Sequence, residues 1–455
     1  MIIMILASFL SVAQTDPAKT VWIAAGVATT DITPDHPVAL TGYGDRSGVF
    51  DSVVQRLKAK ALFIGKNAET SVVIITMDLI GFPASLADDL VLRLAKKTGL
   101  RRDQIALTAT HTHCGPETGP LVNISGRTLQ GKQLYDVKNY RDVLENKLEQ
   151  LVLDAMNNRE PCLLQWGKGT ANFSKNRRVL ENGKWVGFGT SNGPVEHDLP
   201  VLQVSNEKGE VKGILLNYAC HGTTLTPKHN FIHGDWMGQA QQLLEERFPG
   251  AVAMVAVGCG ADSNPDPRGE LINVEQHGKA IADEVQRLIQ SKKLVAIRSL
   301  PSRSFEKLKL EYEQIPTKET LLGESTNNDV TGLLARNYLE LLARGEKIPV
   351  DYDYPIQVWN FGNDLTMVFL GGEVVVDYVK RLKQDLGADK LWVNAYSNDV
   401  SCYIASKKLY QEGGYEVDGS MAYYNKPSRF KEDTEEAIVK SIKKQVLQTQ
   451  RTVKK

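Results

Sequence analysis

Apolar residues recur along this chain in two rhythms, and its least ordinary residues gather where one of those rhythms stops. Short, nearly continuous apolar runs at residues 21–27, 58–64, 71–77, 104–110, 199–204, 211–218, 252–257, 355–361 and 365–370 predict buried β-strands. Residues 162–166, 294–313 and 391–396 add further strand character. Between the runs, apolar residues at helical spacing predict helices over 85–97, 140–157, 235–248, 273–289 and 374–386, with a charged helix from 431 onward. Strands interleaved with helices imply an α/β fold: a mixed β-sheet core flanked by helices, in a single large domain over residues 20–455. Residues 320–342 are polar and helical, and the stretch 315–347 is expected to be an insertion or a lid.

Several of these strands run directly into reactive side chains. The 104–110 run gives way to His111-Thr112-His113-Cys114-Gly115-Pro116. On a strand, residues two apart face the same side, so His111 and His113 are expected to reach one point in space, as ligands of a zinc-like metal do. The Gly/Thr/Pro-rich residues 115–136 that follow are expected to form a site wall. The 211–218 run ends in Asn217-Tyr218-Ala219-Cys220-His221. The 252–257 run empties into Gly258-Cys259-Gly260-Ala261-Asp262-Ser263-Asn264-Pro265, which offers backbone N–H groups and one acidic side chain at a sheet edge. After 365–370 come Gly371-Gly372-Glu373, a carboxylate placed either to approach a metal or to start a helix. Glycines beside Tyr43 and Tyr415 mark loops that can come close to a neighbour.

Composition narrows the field. The 54 basic and 54 acidic residues cancel, so bulk charge draws the chain neither to nucleic acid nor to an anionic membrane. Residues 1–13 are apolar, too short to span a bilayer, and end in small residues around Ser11 and Ala13. They predict a signal peptide and a secreted or periplasmic protein, and no later stretch reads as a transmembrane segment. The five cysteines are an odd number with no Cys-x-x-Cys pair, whereas closed structural zinc sites recruit cysteines at short spacing. Cys114, Cys220, Cys259 and Cys402 border the segments above and read as small hydrophobes packed behind a site.

Taken in order, these pieces give the chain a family resemblance. Asp31-Ile32-Thr33-Pro34 with Gly42-Tyr43-Gly44, Thr110 to Pro116, Asn176-Arg177, Asn217 to His221, Gly258 to Pro265, Gly372-Glu373 and Tyr403-Ile404 resemble the catalytic domain of the neutral/alkaline ceramidase family, across about residues 22–440. The resemblance implies one Zn²⁺ per chain, held by His111, His221, Glu373 and Tyr403, with Tyr396 as the alternative tyrosine. It also implies substrate contacts at His113 and Arg177 and a place for Asp262 in the catalytic loop. Asn264 stands where the long ceramidases are described with a serine, and Ser263 lies one place early, so a serine nucleophile is not expected. The long enzymes also carry a C-terminal β-domain that this sequence does not continue into. The implied activity is zinc-dependent hydrolysis of the N-acyl amide of ceramide or a ceramide-like lipid, giving a fatty acid and a sphingoid base. Two alternatives stand beside it: the same chemistry on another small N-acyl or ester compound such as an acylated sugar, and a non-catalytic binding module with a structural metal.

Overall fold

The structure is a computed structural model that describes residues 20–44, 46, 48–119 and 131–453. The predicted signal peptide, residues 1–13, and much of the predicted site wall lie outside the described residues.

The expected strands assemble into two stacked sheets, which form the mixed β-sheet core flanked by helices that the sequence predicts. The main sheet has nine strands and runs in the order Val252–Val257, Val211–Tyr218, Asp198–Asn206, Glu160–Thr170, Ile23–Asp31, Lys58–Ile64, Val72–Met77, Ile105–Ala109, with Val295–Ile297 also paired to Glu160–Thr170. Its outermost pair at each end is parallel and the pairs between are antiparallel. The second sheet orders Ser302–Glu311, Asp351–Asn360, Thr366–Leu370 and Leu391–Asn394.

Alternation along the strands explains why the sheets stack. Leu62, Ile64, Ile74 and Ala106 point to one face of the main sheet and share a buried core with Trp359, Met367, Phe369 and Trp392 of the second sheet. Ala61, Phe63, Val73 and Ile75 point the other way, onto Leu86, Leu90, Leu144 and Leu148 of the helices Ala84–Thr98 and Gly131–Asn157. The far side of the second sheet, Ile356 and Val358, is covered by Ile438 and Ile442 of the C-terminal helix Thr434–Val453. The result is a layered helix, sheet, sheet, helix stack.

Three local departures matter for the site. The helix expected from residue 140 begins at Gly131. Its first residues, Gly131-Lys132-Gln133, are polar, a Lys132–Asp136 ion pair at 2.6 Å supports the first turn, and buried Val137 extends the apolar period of Tyr140 and Leu144 upstream. The polar 320–342 stretch is two helices, Lys318–Glu324 and Val330–Ala343, the second capped by Asp329 Oδ1 accepting from the N–H groups of Thr331 and Gly332, each at 3.0 Å. Glu373 does not start the helix that follows, which begins at Val376. It lies in a two-residue strand, Glu373–Val374, paired in parallel with Tyr403–Ile404 so that Glu373 and Tyr403 are in register.

The two edge strands of the main sheet are joined at one end. Ala395 N–H donates to Val257 O at 3.0 Å, Ala109 N–H to Tyr396 O at 3.1 Å, and Asn398 N–H to Leu107 O at 2.9 Å. The segment leaving the second sheet therefore bonds to both edges, and the loops after Ala109, Tyr218 and Val257 meet beside it.

Candidate functional site

The histidine strand stops at Ala109, so strand alternation is not what brings His111 and His113 together. Thr110 N–H bonds to Met77 O at 2.8 Å and His111 N–H to Leu79 O at 2.9 Å, which turns the chain, and His111 itself adopts φ 60°. His113 N–H then donates to Gly222 O at 3.2 Å, tying this loop to the one that carries His221. The convergence expected from the sequence still results: His111 Nε2 and His113 Nε2 lie 3.2 Å apart, and one nitrogen each of His111, His113 and His221 lie within 4.8 Å of one another.

Two of these imidazoles are oriented through their other nitrogen. His111 Nδ1 lies 2.6 Å from Ile80 O and His221 Nδ1 2.9 Å from Gly260 O. A carbonyl only accepts, so each Nδ1 carries the hydrogen and each Nε2 presents a lone pair. Both lone pairs face Glu373 Oε2, at 3.1 Å each. Burial, then the charge of Arg177, pushes His221 down to about 4, so it is neutral at neutral pH. Glu373 Oε2 is buried and has no hydrogen-bond partner of its own. Two outward-facing imidazole lone pairs beside an unpartnered carboxylate oxygen form a donor set that fits a divalent metal of the zinc type.

His113 is held differently. Its Nδ1 has no partner, and its ring packs 4.7 Å from that of Tyr43. Gly42, at φ 105°, makes room for it, because a Cβ there would come within 2.6 Å of His113 Nδ1. Burial, followed by the neighbouring His111 and His221, pushes His113 well below the usual histidine range, so this imidazole is also neutral.

Arg177 supplies the positive charge. Its guanidinium donates to Tyr403 Oη at 3.1 Å, lies 3.4 Å from His221 Nε2, and is braced by Glu416 Oε1 at 3.0 Å. Burial disfavours that charge, but Tyr403 and Glu416 outweigh it and Arg177 stays protonated. Tyr403 Oη also lies 3.4 Å from His221 Nε2. The ring of the alternative tyrosine, Tyr396, packs tilted at 4.4 Å from the His111 ring, with its hydroxyl buried and unpartnered.

His111, His113, Arg177, His221, Glu373 and Tyr403 are thus brought into one cluster, and Asp262 is not. Its carboxylate accepts from Val376 N–H at 2.9 Å and from Asn176 Nδ2 at 3.2 Å, while its main-chain oxygen accepts from Arg177 N–H at 2.8 Å. Burial pushes this carboxyl up to about 7. Ser263 Oγ is buried without a partner, so no base activates it, and Asn264 Oδ1 is engaged by Thr223 at 3.1 Å. Cys114, Cys220, Cys259 and Cys402 are buried and free, as packing residues behind a site should be, and Cys162 is buried in the core between the sheets.

Two residues at the centre were not singled out in the sequence. Glu416 directly follows the Gly413-Gly414-Tyr415 turn, and that glycine pair was the available signal. Tyr424, whose hydroxyl donates to Glu373 Oε1, had none.

Comparison with known proteins identifies this architecture. Residues 23–265, more than half of the chain, match the neutral/alkaline non-lysosomal ceramidase N-terminal family. A neutral ceramidase of Oryza sativa subsp. japonica is 24% identical over 233 residues, covering 49% of this chain and 28% of that protein. Neutral ceramidase 2 of Arabidopsis thaliana is 24% identical over 229 residues, covering 49% of this chain and 30% of that protein. The match therefore spans under a third of those relatives' length. The crystal structure of neutral ceramidase from Pseudomonas aeruginosa superposes with a TM-score of 0.70 at 18% identity, over 93% of this chain and 73% of that one. A ceramidase complexed with C2 gives 0.68 at 18% identity, over 92% and 74%. Glu373 and Tyr403 lie beyond the family match, in the part of the chain where the likeness is one of fold. On the match over residues 23–265, the chain belongs to the neutral/alkaline non-lysosomal ceramidase family.

Proposed function

We propose that the protein is a zinc-dependent amidohydrolase that cleaves the N-acyl amide of ceramide or a ceramide-like lipid to a fatty acid and a sphingoid base. The observation that carries this reading is the meeting of His111 Nε2 and His221 Nε2 on Glu373 Oε2, 3.1 Å from each. His111, His221, Glu373 and Tyr403 would hold the metal. Bound there, Zn²⁺ supplies Lewis acidity and a water whose pKa is lowered to about 7.

The remaining work belongs to the side chains. Net hydrolysis adds water across the amide: a C–O bond forms, the C–N bond breaks, and the departing nitrogen gains a proton. Arg177, charged and shielded from water, faces the negative charge that develops on the carbonyl oxygen, where a buried donor is worth far more than in solvent. Tyr403 shares that task through its hydroxyl. His113 is neutral and set between Tyr43 and His111, so it can accept a proton at one nitrogen and return it to the leaving amine. Asp262 acts by position: it holds Asn176, the Arg177 main chain and Val376 together.

The test is fatty-acid release by the purified protein from a panel of ceramides and other N-acyl compounds, with and without a chelator. Chelator-sensitive release from ceramides is the expected result, and His111→Ala should abolish it while the far-UV spectrum and cooperative unfolding persist. Release only from a different acylated compound would keep the site and discard ceramide. Unfolding of His111→Ala would point to a structural metal. Secretion belongs to the same reading and is checked by locating the protein in cell fractions. Among the described residues no helix is long and apolar enough to cross a membrane.

A further inference from the structure

We infer that Tyr424 is a positioning residue for the Glu373 carboxylate, and that the helical hairpin Lys318–Glu324 and Val330–Ala343 acts on the metal centre through it. The inference rests on the metal-centre reading above and adds to it a residue and an element that touch none of the ligand nitrogens.

The argument begins with the two oxygens of Glu373. Oε2 faces His111 and His221, while Oε1 accepts a hydrogen bond from the Tyr424 hydroxyl. The terminal torsion of a glutamate is soft, so a buried carboxylate held at only one oxygen can swing its other oxygen away from where it is needed. Anchoring Oε1 fixes the plane of the group and so aims Oε2. Partners of this kind, one bond removed from a metal, typically tune affinity 10–100-fold.

Tyr424 is in turn held by its chain neighbour. It ends a single 3₁₀ turn, Met421–Tyr424, which Asn425 closes in a left-handed conformation at φ 54°. Asn425 O accepts from the Tyr338 hydroxyl at 2.7 Å, and Asn425 Oδ1 from Asn337 Nδ2 at 3.3 Å. Tyr338 is buried in a small core of its own with Leu321, Ala335 and Ile348, separate from the main cores. The hairpin is therefore an independently packed piece that grips the turn carrying Tyr424. Its connection to the centre is a chain of contacts, Tyr338 to Asn425, Tyr424 to Glu373, which is the geometry of a brace.

The experiment measures zinc affinity of the full chain by competition with a chromophoric chelator, alongside thermal unfolding of the zinc-loaded and metal-free forms, with no substrate present. Tyr424→Phe keeps the ring and removes the hydroxyl. It is expected to weaken zinc binding about 10–100-fold and to lower the midpoint of the zinc-loaded form by more than that of the metal-free form, which loses only the one buried hydrogen bond. Tyr338→Phe, which alters only the hydrogen bond to Asn425 O, is expected to weaken binding in the same direction by less. Wild-type zinc affinity in Tyr424→Phe overturns the positioning role. So does an equal loss of midpoint in both forms, which is the mark of a merely structural tyrosine. If Tyr424→Phe does not fold, Tyr338→Phe decides, and unchanged affinity there overturns the brace. A wild-type chain that binds no zinc sinks this inference and the metal centre together, whereas failure to hydrolyse ceramide leaves this inference standing.

Discussion

At Arg177 a full positive charge is kept out of water, 3.1 Å from the Tyr403 hydroxyl, by the Glu416 carboxylate behind it. A guanidinium can serve both partners at once because its donors form a fixed fork, whereas a lysine ammonium is a single point of charge. Arg177→Lys is therefore expected to keep the fold and lower kcat about 10²–10³-fold, with a smaller change in KM. Steady-state kinetics on the hydrolysed substrate checks this, and a raised KM with unchanged kcat would make Arg177 a group that binds substrate and transition state alike. Gly42 makes a second residue-scale case. A methyl group there would meet the His113 ring, and the φ of 105° is one that side chains rarely adopt. Gly42→Ala is expected to cost about 1–3 kcal/mol of stability and to lower kcat by displacing His113, as read from denaturant unfolding and kinetics on the same preparation.

Among the elements, legibility in the sequence followed the source of the signal. Strands such as Lys58–Ile64 and Val252–Val257 were readable because buried strands are continuous apolar runs. His111, His221 and Glu373 were readable because each stands where such a run ends. His111 and His113 nonetheless converge by another route than strand alternation, since a turn held by Met77 O and Leu79 O aims them. Pairings between distant segments left no local trace: neither the split into two sheets nor the pair Glu373–Val374 with Tyr403–Ile404 has a periodicity of its own. Asp262 illustrates the limit, because a motif located it and only the fold shows that it fastens the Ser174–Asn176 strand to the start of the Val376–Leu386 helix. Its burial gives a test. With the folded carboxyl raised from 3.8 to about 7, its protonation contributes stability that is complete below about pH 4 and is lost as pH rises through 7. Asp262→Asn removes that dependence, and any fixed offset from the altered Asn176 contact is the same at every pH. The unfolding free energy of the wild type relative to this variant is expected to fall between pH 5 and pH 8, by denaturant titration across that range. A flat difference would mean that Asp262 is ionised throughout.

For the molecule as a whole, the site exists because two sheets are joined at the place where three loops end. The 395–398 segment leaves the second sheet and bonds to both edges of the first, and Asn398 makes the closest of these connections. Its N–H donates to Leu107 O at 2.9 Å, its Oδ1 accepts from Leu107 N–H at 3.2 Å, and its Nδ2 donates to Gln357 Oε1 at 2.9 Å. Gln357 in turn donates to Asp103 O at 3.0 Å, so one asparagine and one glutamine fasten the second sheet to the histidine strand. Asn398 also sits at φ 64°, a conformation that asparagine tolerates better than most residues. Asn398→Ala would leave Leu107 N–H and Gln357 Oε1 buried without partners while keeping the strained backbone. Each buried group left unpaired costs about 1–3 kcal/mol, so a loss of about 2–6 kcal/mol in unfolding free energy is expected. Because the same bonds set the distance between the histidine loop and the segment carrying Glu373 and Tyr403, zinc affinity should weaken with stability, even though Asn398 contacts no proposed ligand. Asn398→Asp keeps the acceptor toward Leu107 but sets an acceptor against Gln357 Oε1, so it should lose stability as well, and more so as pH rises and the buried carboxyl ionises. If stability falls while zinc affinity stays at the wild-type level, the ligands are set by their own loops, and the joining of the sheets supports the fold without shaping the site.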